Sequence, residues 1–341
     1  MEDYEKGKKA QEIIAEVPII DLAGLNQSPH QRSCIIQQIR KACLEMGFFQ
    51  IINHGISQSI IEGTLTSASD FFNLPAGDKN KFMSRDVHKP VRYSTTVTSL
   101  TDGVDSNRVQ FCRVLLKHYA HPLDKWVSSW PAKPPHYREK MGRYCVEVQR
   151  VATEVMGAIT ESLGLGPTYL SEKMNPGVQV MAVNCYPPCL PQSDIPVLGL
   201  PPHCDYSCIT ILLQSCPGLQ IMVPHEEDDQ YTSTWKLVPD GVVQGTLQVH
   251  VGAHLEVLSN GLYKSVLHRV TLNSQRTRFS LGSLHSLAMD EKMECAEELV
   301  DDQLRPRRYK GSSFRDFLDF LSANDIGEGK SFIDTLRIKD Q

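Results

Sequence analysis

The chain has 341 residues, with 35 Lys plus Arg against 40 Asp plus Glu, a net charge of -5 at neutral pH and 41% hydrophobic residues. That length and apolar content suffice for one large core and exclude global disorder, and the acidic balance offers no basic face for nucleic acid. No stretch approaches the roughly 18 apolar residues of a membrane span, and Met1 to Ala15 is charged without the apolar centre of a secretory signal. The expectation is a monomer without nucleic-acid or membrane partners, cytoplasmic, acting on a small molecule. The ten cysteines are scattered, with no C-x-x-C pair, so reduced thiols are expected throughout.

In chain order, Val17 to Leu22 reads as a short β-branched strand and Gln31 to Glu45 as a helix, from the spacing of Ile35, Ile36, Ile39, Ala42 and Cys43. Gly47 ends that helix, Phe48 to Ile52 is a buried strand, and Asn53-His54-Gly55 is a turn. Between Ser84 and Pro135 the prolines at 90, 122 and 131 break any long period, which predicts extended loops. Glu147 to Leu163 carries the stripe of an amphipathic helix that backs a sheet. From Val178 onward short apolar runs alternate with turns: Val178 to Val183, Ile209 to Leu213, Leu219 to Val223, Trp235 to Val238, Leu247 to Val257, Ser265 to Leu272 and Phe279 to Leu284. Strands at that spacing predict an α+β chain with a mainly β core, a jelly roll backed by helices. Phe314 to Leu321 marks a last amphipathic helix. The expected organisation is one integrated domain: a strand-helix module over 1–120, connecting and backing helices over 121–174, the barrel core over 175–295 and a helical segment over 296–341.

His203-Cys204-Asp205 opens the β region, and alternation along an extended chain turns both outer side chains to one side. His268 ends another strand-like run that a barrel can return to the same place. Two imidazoles and one carboxylate form the facial triad that suits non-haem Fe(II). A His-x-Asp triplet alone arises about once by chance in a chain this long, so context decides. Arg278-Phe279-Ser280 places two polar groups on one face of a later strand, and a buried Arg needs an anionic partner. Its planar fork grips a carboxylate with two parallel hydrogen bonds, with the Ser hydroxyl and Tyr186 as further donors. The alternatives are a satisfied polar cluster or structural zinc for the triad, and an ordinary ion pair for Arg278. His250 and His254 share one face of the predicted strand Leu247 to Val257, and solvent-facing or hydrogen-bonded roles are expected for them ahead of a second metal pair. Tyr93, Phe111, Arg113, Tyr206, Phe314 and Phe317 are candidates for a substrate pocket, with core packing as the competing role.

Taken together, Val17 to Leu22, Gly47 to Gly55, Asn184 to Pro188, Pro202 to Asp205, Leu258 to Gly261, Lys264 to Val270 and Arg278 to Ser280 make the chain resemble the plant soluble Fe(II)/2-oxoglutarate-dependent dioxygenases, in their flavanone 3-hydroxylase-like and specialised-metabolism branch. That resemblance covers nearly the whole chain. It implies a double-stranded β-helix; His203, Asp205 and His268 on Fe(II); Arg278, Ser280, Tyr186 and Asn184 on 2-oxoglutarate; and ascorbate as an accessory. It further implies oxidation, chiefly hydroxylation, of a small specialised metabolite or hormone, phenolic or flavonoid-like, with release of succinate and CO2. One strand departs from the pattern: where the family commonly has Asn-Ile-Gly-Asp, this chain has His250-Val251-Gly252-Ala253. Two other readings stay open, an ascorbate-dependent oxidase of the same fold that uses no 2-oxoglutarate, and a non-catalytic small-molecule-binding barrel.

Overall fold

The computed structural model describes residues 13–97, 111–188, 197–227, 230–241, 243–324 and 330–338. Its strands are β1 (Ile19–Asp21), β2 (Phe48–Ile52), β3 (Val91–Val97), β4 (Cys112–His121), β5 (Val178–Tyr186), β6 (Leu198–His203), β7 (Ile209–Gln214), β8 (Leu219–Glu227), β9 (Gln230–Leu237), β10 (Leu247–Val251), β11 (His268–Thr271) and β12 (Arg278–Ser286). The helices are α1 (Pro29–Glu45), α2 (Gln58–Phe72), α3 (Ala76–Lys79), α4 (Leu123–Trp126), α5 (Tyr137–Ser162), α6 (Ser171–Met174), α7 (Ala253–Leu258), α8 (Phe314–Ala323) and α9 (Phe332–Leu336). An eight-stranded sheet runs β1-β2-β10-β7-β12-β5-β4-β3, and a four-stranded sheet runs β6-β11-β8-β9. Helices on one side and the smaller sheet on the other enclose the larger sheet, giving the jelly roll that the strand spacing predicts.

Strand register divides the large sheet into two chemically different faces. Directly paired residues point to the same side. Phe49, Val249 and Ile211 follow one another across neighbouring strands, as do Leu213, Leu281, Val183, Leu116 and Tyr93 from the position two residues along β7, and all lie in the core that includes Ile39, Phe71, Val148, Val151 and Val155 of α1, α2 and α5. Burying each such aliphatic side chain contributes about 1.5–3 kcal/mol. The opposite face carries Phe48 with His250, Gln50 with Gln248, Gln214 with Ser280, Ser280 with Asn184, Arg278 with Tyr186, and Lys117 with Arg92. That polar face looks toward the small sheet. Phe48 and Leu212 pack on Leu219 and Ile221 of β8, while Tyr186 packs on Leu200 and Val270 of β6 and β11. Chemistry is thus confined to the space between the sheets.

The N-terminal module belongs to the same sheet. β1 pairs parallel to β2, and β2 runs antiparallel to β10. Helix α1 begins two residues earlier than its apolar spacing suggests, because Ser28 caps Gln31 N and Pro29 fits the first turn. Gly47 must be glycine: its φ is +64°, and a Cβ there would sit 2.3 Å from the Lys264 carbonyl.

Three expectations need correction, and one helix gave no expectation. The stretch Ser84 to Pro135 contains β3 and β4, because Pro90 and Pro122 lie just outside the two strands and do not interrupt them. Helix α2 gave no reading in the sequence, and α5 starts at Tyr137 and not at Glu147. The run Leu247 to Val257 is not one strand: β10 ends at Val251, and α7 turns the chain where Ala253 N donates to Asp205 O at 2.8 Å. A short apolar run buried on all sides carries no period to separate strand from helix.

Candidate metal and carboxylate site

His203 closes β6, Asp205 lies two residues beyond, and His268 opens β11, where the register pairs it directly with His203. Pairing sets the two imidazole rings side by side, with centroids 4.2 Å apart. Asp205 Oδ1 is 3.6 Å from His203 Nε2 and 3.8 Å from His268 Nε2, and one ligand atom from each residue lies within 4.8 Å of the others. His203 Nδ1 lies 2.8 Å from the Pro201 carbonyl, and His268 Nδ1 lies 3.1 Å from that of Val266. Each carbonyl can only accept, so Nδ1 carries the proton and Nε2 keeps its lone pair free. Burial, with the neighbouring His268, holds His203 well below the ordinary imidazole range. Burial alone would raise Asp205, but the three imidazoles of His268, His203 and His250 outweigh it and hold the carboxylate ionised. Two imidazoles with Nε2 turned inward and one carboxylate, converging on a single point, are a donor set that binds a divalent cation. Three ligands also fall short of the four that close a structural zinc site.

On the face of the large sheet that looks toward the small sheet, Arg278 opens β12 and is buried to 1% exposure. Its Nε donates to the Cys216 carbonyl at 3.0 Å and its Nη2 to Gln214 Oε1 at 2.8 Å, while Nη1 is buried without a partner among the described residues. The guanidinium carbon lies 5.2 Å from the ring centre of Tyr186. Asn184, paired with Ser280, donates to its carbonyl and hydroxyl at 3.3 Å each. A fork held from behind, with one nitrogen left open, is shaped to receive an anionic group. Two glycines make room: a Cβ at Gly218 would come within 2.9 Å of Arg278 Cδ, and one at Gly199 within 2.8 Å of the Tyr186 ring.

Of the six pocket candidates, Arg113 lies on the polar face; its Nε donates to Asn184 Oδ1 at 2.7 Å, and its charge couples to Tyr186 and Asp205. Tyr93 does not: it turns to the helix side and meets Phe71 edge-on at 6.1 Å. Tyr206, adjacent to Asp205, points away from it, stacking on Phe317 at 4.5 Å and hydrogen-bonding Ser312 and His254. Phe314, buried, and Phe317, half-buried, join that cluster, which docks the C-terminal helices. Phe111 is buried where the chain bridges to Leu198 of β6.

The two extra histidines part company. His254 is in α7, fully buried, with its Nε2 2.8 Å from the Tyr206 hydroxyl. His250 is not solvent-facing: it is 2% exposed, 3.6 Å from Asp205 Oδ2, and neither ring nitrogen has a hydrogen-bond partner among the described residues. It stands against the triad because β10 pairs His250 with Thr210, whose hydroxyl also favours the Asp205 carboxylate. Alternation from Gln248 was the signal that could have placed His250 inward. The described cysteines are all free thiols, and Cys189 lies outside the described residues.

Comparison with known proteins gives the following. Residues 17–135 match the family described as the N-terminal region of non-haem dioxygenases in morphine synthesis, and residues 177–286 match the 2OG-Fe(II) oxygenase superfamily. The chain is 49% identical to 2-oxoglutarate-dependent dioxygenase 21, chloroplastic, of Oryza sativa subsp. japonica, over 94% of this chain and 91% of that one. It is 44% identical to flavanone 3-dioxygenase 3 of the same organism, over 99% and 100%. Among solved structures, JOX2 in complex with 2OG, Fe and JA superposes with a TM-score of 0.79 at 27% identity, covering 96% of this chain and 93% of that one. The dioxygenase for auxin oxidation of rice, at 21% identity and a TM-score of 0.72 over 95% of this chain and 100% of that one, shares the fold.

Proposed function

The chain belongs to the 2OG-Fe(II) oxygenase superfamily and is a 2-oxoglutarate/Fe(II)-dependent dioxygenase, and on that premise we propose that His203, Asp205 and His268 hold the iron while Arg278, Ser280, Tyr186 and Asn184 hold 2-oxoglutarate. The observation that carries the assignment is the convergence of two backbone-tethered imidazoles and an ionised carboxylate opposite a buried arginine with one open nitrogen. Bound iron supplies activation of dioxygen, coupled to decarboxylation of 2-oxoglutarate to succinate.

The chain's own residues do the rest. Nε2 of each histidine and a carboxylate oxygen of Asp205 would hold the ion, a set of three protein donors that suits an iron site taking further ligands. Arg278 Nη1 and the Ser280 hydroxyl fix the distal carboxylate of 2-oxoglutarate, so its keto acid end is directed to the iron. Arg278's open nitrogen supports use of 2-oxoglutarate over an oxidase that dispenses with it.

The reaction we propose is hydroxylation of a small specialised metabolite or hormone. The named flavanone activity of a relative 44% identical over nearly the full length of both chains supports a ring-bearing, flavonoid-like or phenolic substrate. Ascorbate as the reductant that keeps the iron ferrous, a monomeric state and a cytoplasmic location complete the proposal. Among the described residues no helix is long and apolar enough to cross a membrane. The test is anaerobic addition of Fe(II) and 2-oxoglutarate, read by a visible charge-transfer band, followed by screening metabolites for those that accelerate succinate release. Absence of the band, or turnover without stoichiometric succinate, would overturn the assignment.

A further inference from the structure

The polar face of the large sheet extends past Asn184 onto β4 and β3, and there it turns cationic. Arg113 on β4 is opposite Thr96, and Lys117 is opposite Arg92, so all three basic side chains share the face that carries Tyr186 and Arg278. Among the described residues, none of the three forms an ion pair with a carboxylate. Lys117 is satisfied by other means: its Nζ donates to the Val87 carbonyl at 2.8 Å and lies 4.6 Å over the Tyr119 ring. Arg92 Nε is buried with no partner, and the hydrogen bond of Arg113 goes to the neutral Asn184 carboxamide. Burial first, and then the charge of Arg113, lower the pKa of Arg92, with Asp86 opposing them more weakly. Arg113 senses Asp205, whose charge is committed to the metal under the reading above. On the shared face Arg92 is opposite Lys117 and Arg113 lies four residues further along β4, opposite Thr96; two half-buried guanidinium groups with no carboxylate paired to them among the described residues are costly, and cores retain such groups where an anionic partner arrives.

We propose that the substrate carries a carboxylate, bound between Arg92 and Arg113 on the β3-β4 hairpin, which holds the rest of the molecule against the iron site. This rests on the iron and 2-oxoglutarate assignment and names the substrate class for it. The co-substrate's own distal carboxylate is provided for by Arg278, one strand beyond Tyr186, so the Arg92-Arg113 pair serves a second anion. The planar fork of each arginine suits a carboxylate better than a lone hydroxyl. The ring-bearing substrate proposed above would therefore also carry an acid group, since a neutral flavanone offers neither guanidinium an anion.

The experiment uses the full chain loaded anaerobically with Fe(II) and 2-oxoglutarate, with the visible band recorded first. Benzoate, cinnamate, indole-3-acetate and cyclohexaneacetate are then titrated by calorimetry, each beside its methyl ester, with a flavanone as the neutral control. At least one acid is expected to bind about tenfold or more tighter than its ester. That preference is expected to fall below about threefold in Arg92→Gln and Arg113→Gln and to return in part in Arg113→Lys, with folding checked by thermal melting. Three results overturn the proposal: no acid preference in any pair, a preference that survives both Gln substitutions, or an Arg113→Gln variant whose 2-oxoglutarate requirement rises by the same factor as its loss of acid binding. Failure of the band would refute the iron-site assignment instead, and the acid-ester comparison on the same protein would still test the arginine pair.

Discussion

Replacing Arg278 by Ala should separate co-substrate binding from metal binding. The guanidinium already uses Nε and one Nη2 hydrogen on Cys216 and Gln214, which leaves Nη1 and the second Nη2 hydrogen for a carboxylate. Two charge-assisted bonds at about 1.5–3 kcal/mol each total at least about 3 kcal/mol, more than about a hundredfold in half-saturation. Iron affinity should change little, since Arg278 is outside the His203, Asp205 and His268 cluster. Stability changes by competing terms. The Cys216 carbonyl and the Gln214 amide oxygen lose a donor, at about 1–3 kcal/mol each, while a buried cation is removed. Arg278→Lys restores the charge but not the two parallel donors, so its half-saturation should lie between those of Ala and wild type. The assay is an anaerobic titration of 2-oxoglutarate against the visible band at saturating Fe(II), beside a separate Fe(II) titration. An unchanged half-saturation in Arg278→Ala, or a lysine variant equal to wild type, would refute the carboxylate clamp.

His203→Ala, Asp205→Ala and His268→Ala are each expected to keep the fold and abolish metal binding and turnover, read as Fe(II) content after dialysis; stoichiometric iron in any one sinks the triad. Gly218→Ala brings a Cβ to 2.9 Å from Arg278 Cδ, so the 2-oxoglutarate requirement should rise and stability fall by about 1–3 kcal/mol, measured by the same titration and by denaturant melts. Burial holds His118, His254 and His285 down to about 3, below the ordinary value of 6.5. Their unfolded forms take up protons first as pH falls below 6.5, so stability is full above that pH and declines toward 3, at up to about 4 kcal/mol per pH unit near the middle of the window; a flat stability profile between pH 6.5 and 4 would contradict the burial. Thiol titration of the denatured, unreduced protein should find all ten cysteines reactive, and a deficit would reveal a disulfide.

The part of the site that is local in sequence was legible in it. His203 and Asp205 share a side because extended backbone alternates, and Arg278 with Ser280 obeys the same rule. Their motifs, with His268, marked the reaction class without any knowledge of the fold. Most β strands of the second half were readable as apolar runs bounded by turn residues, although β6 gave no reading and only the end of β9 did; β3 and β4 were not, since flanking prolines masked them and β4 is largely covered on both faces.

What only the tertiary structure decided depends on register, a long-range quantity that no spacing rule contains. Pairing of β6 with β11 brought His268 to His203 across the chain, and pairing of β10 with β7 turned His250 toward Asp205. Pairing of β3 with β4 turned Tyr93 to the helix side, and docking of α8 and α9 set Phe314, Phe317 and Phe332 around Tyr206. Sequence by itself determined which residues can do chemistry, because residue type and local alternation are properties of short segments. Which of them face one another was decided by hydrogen-bonded pairing of strands far apart in the chain, where a shift of one residue would exchange the polar face for the apolar one.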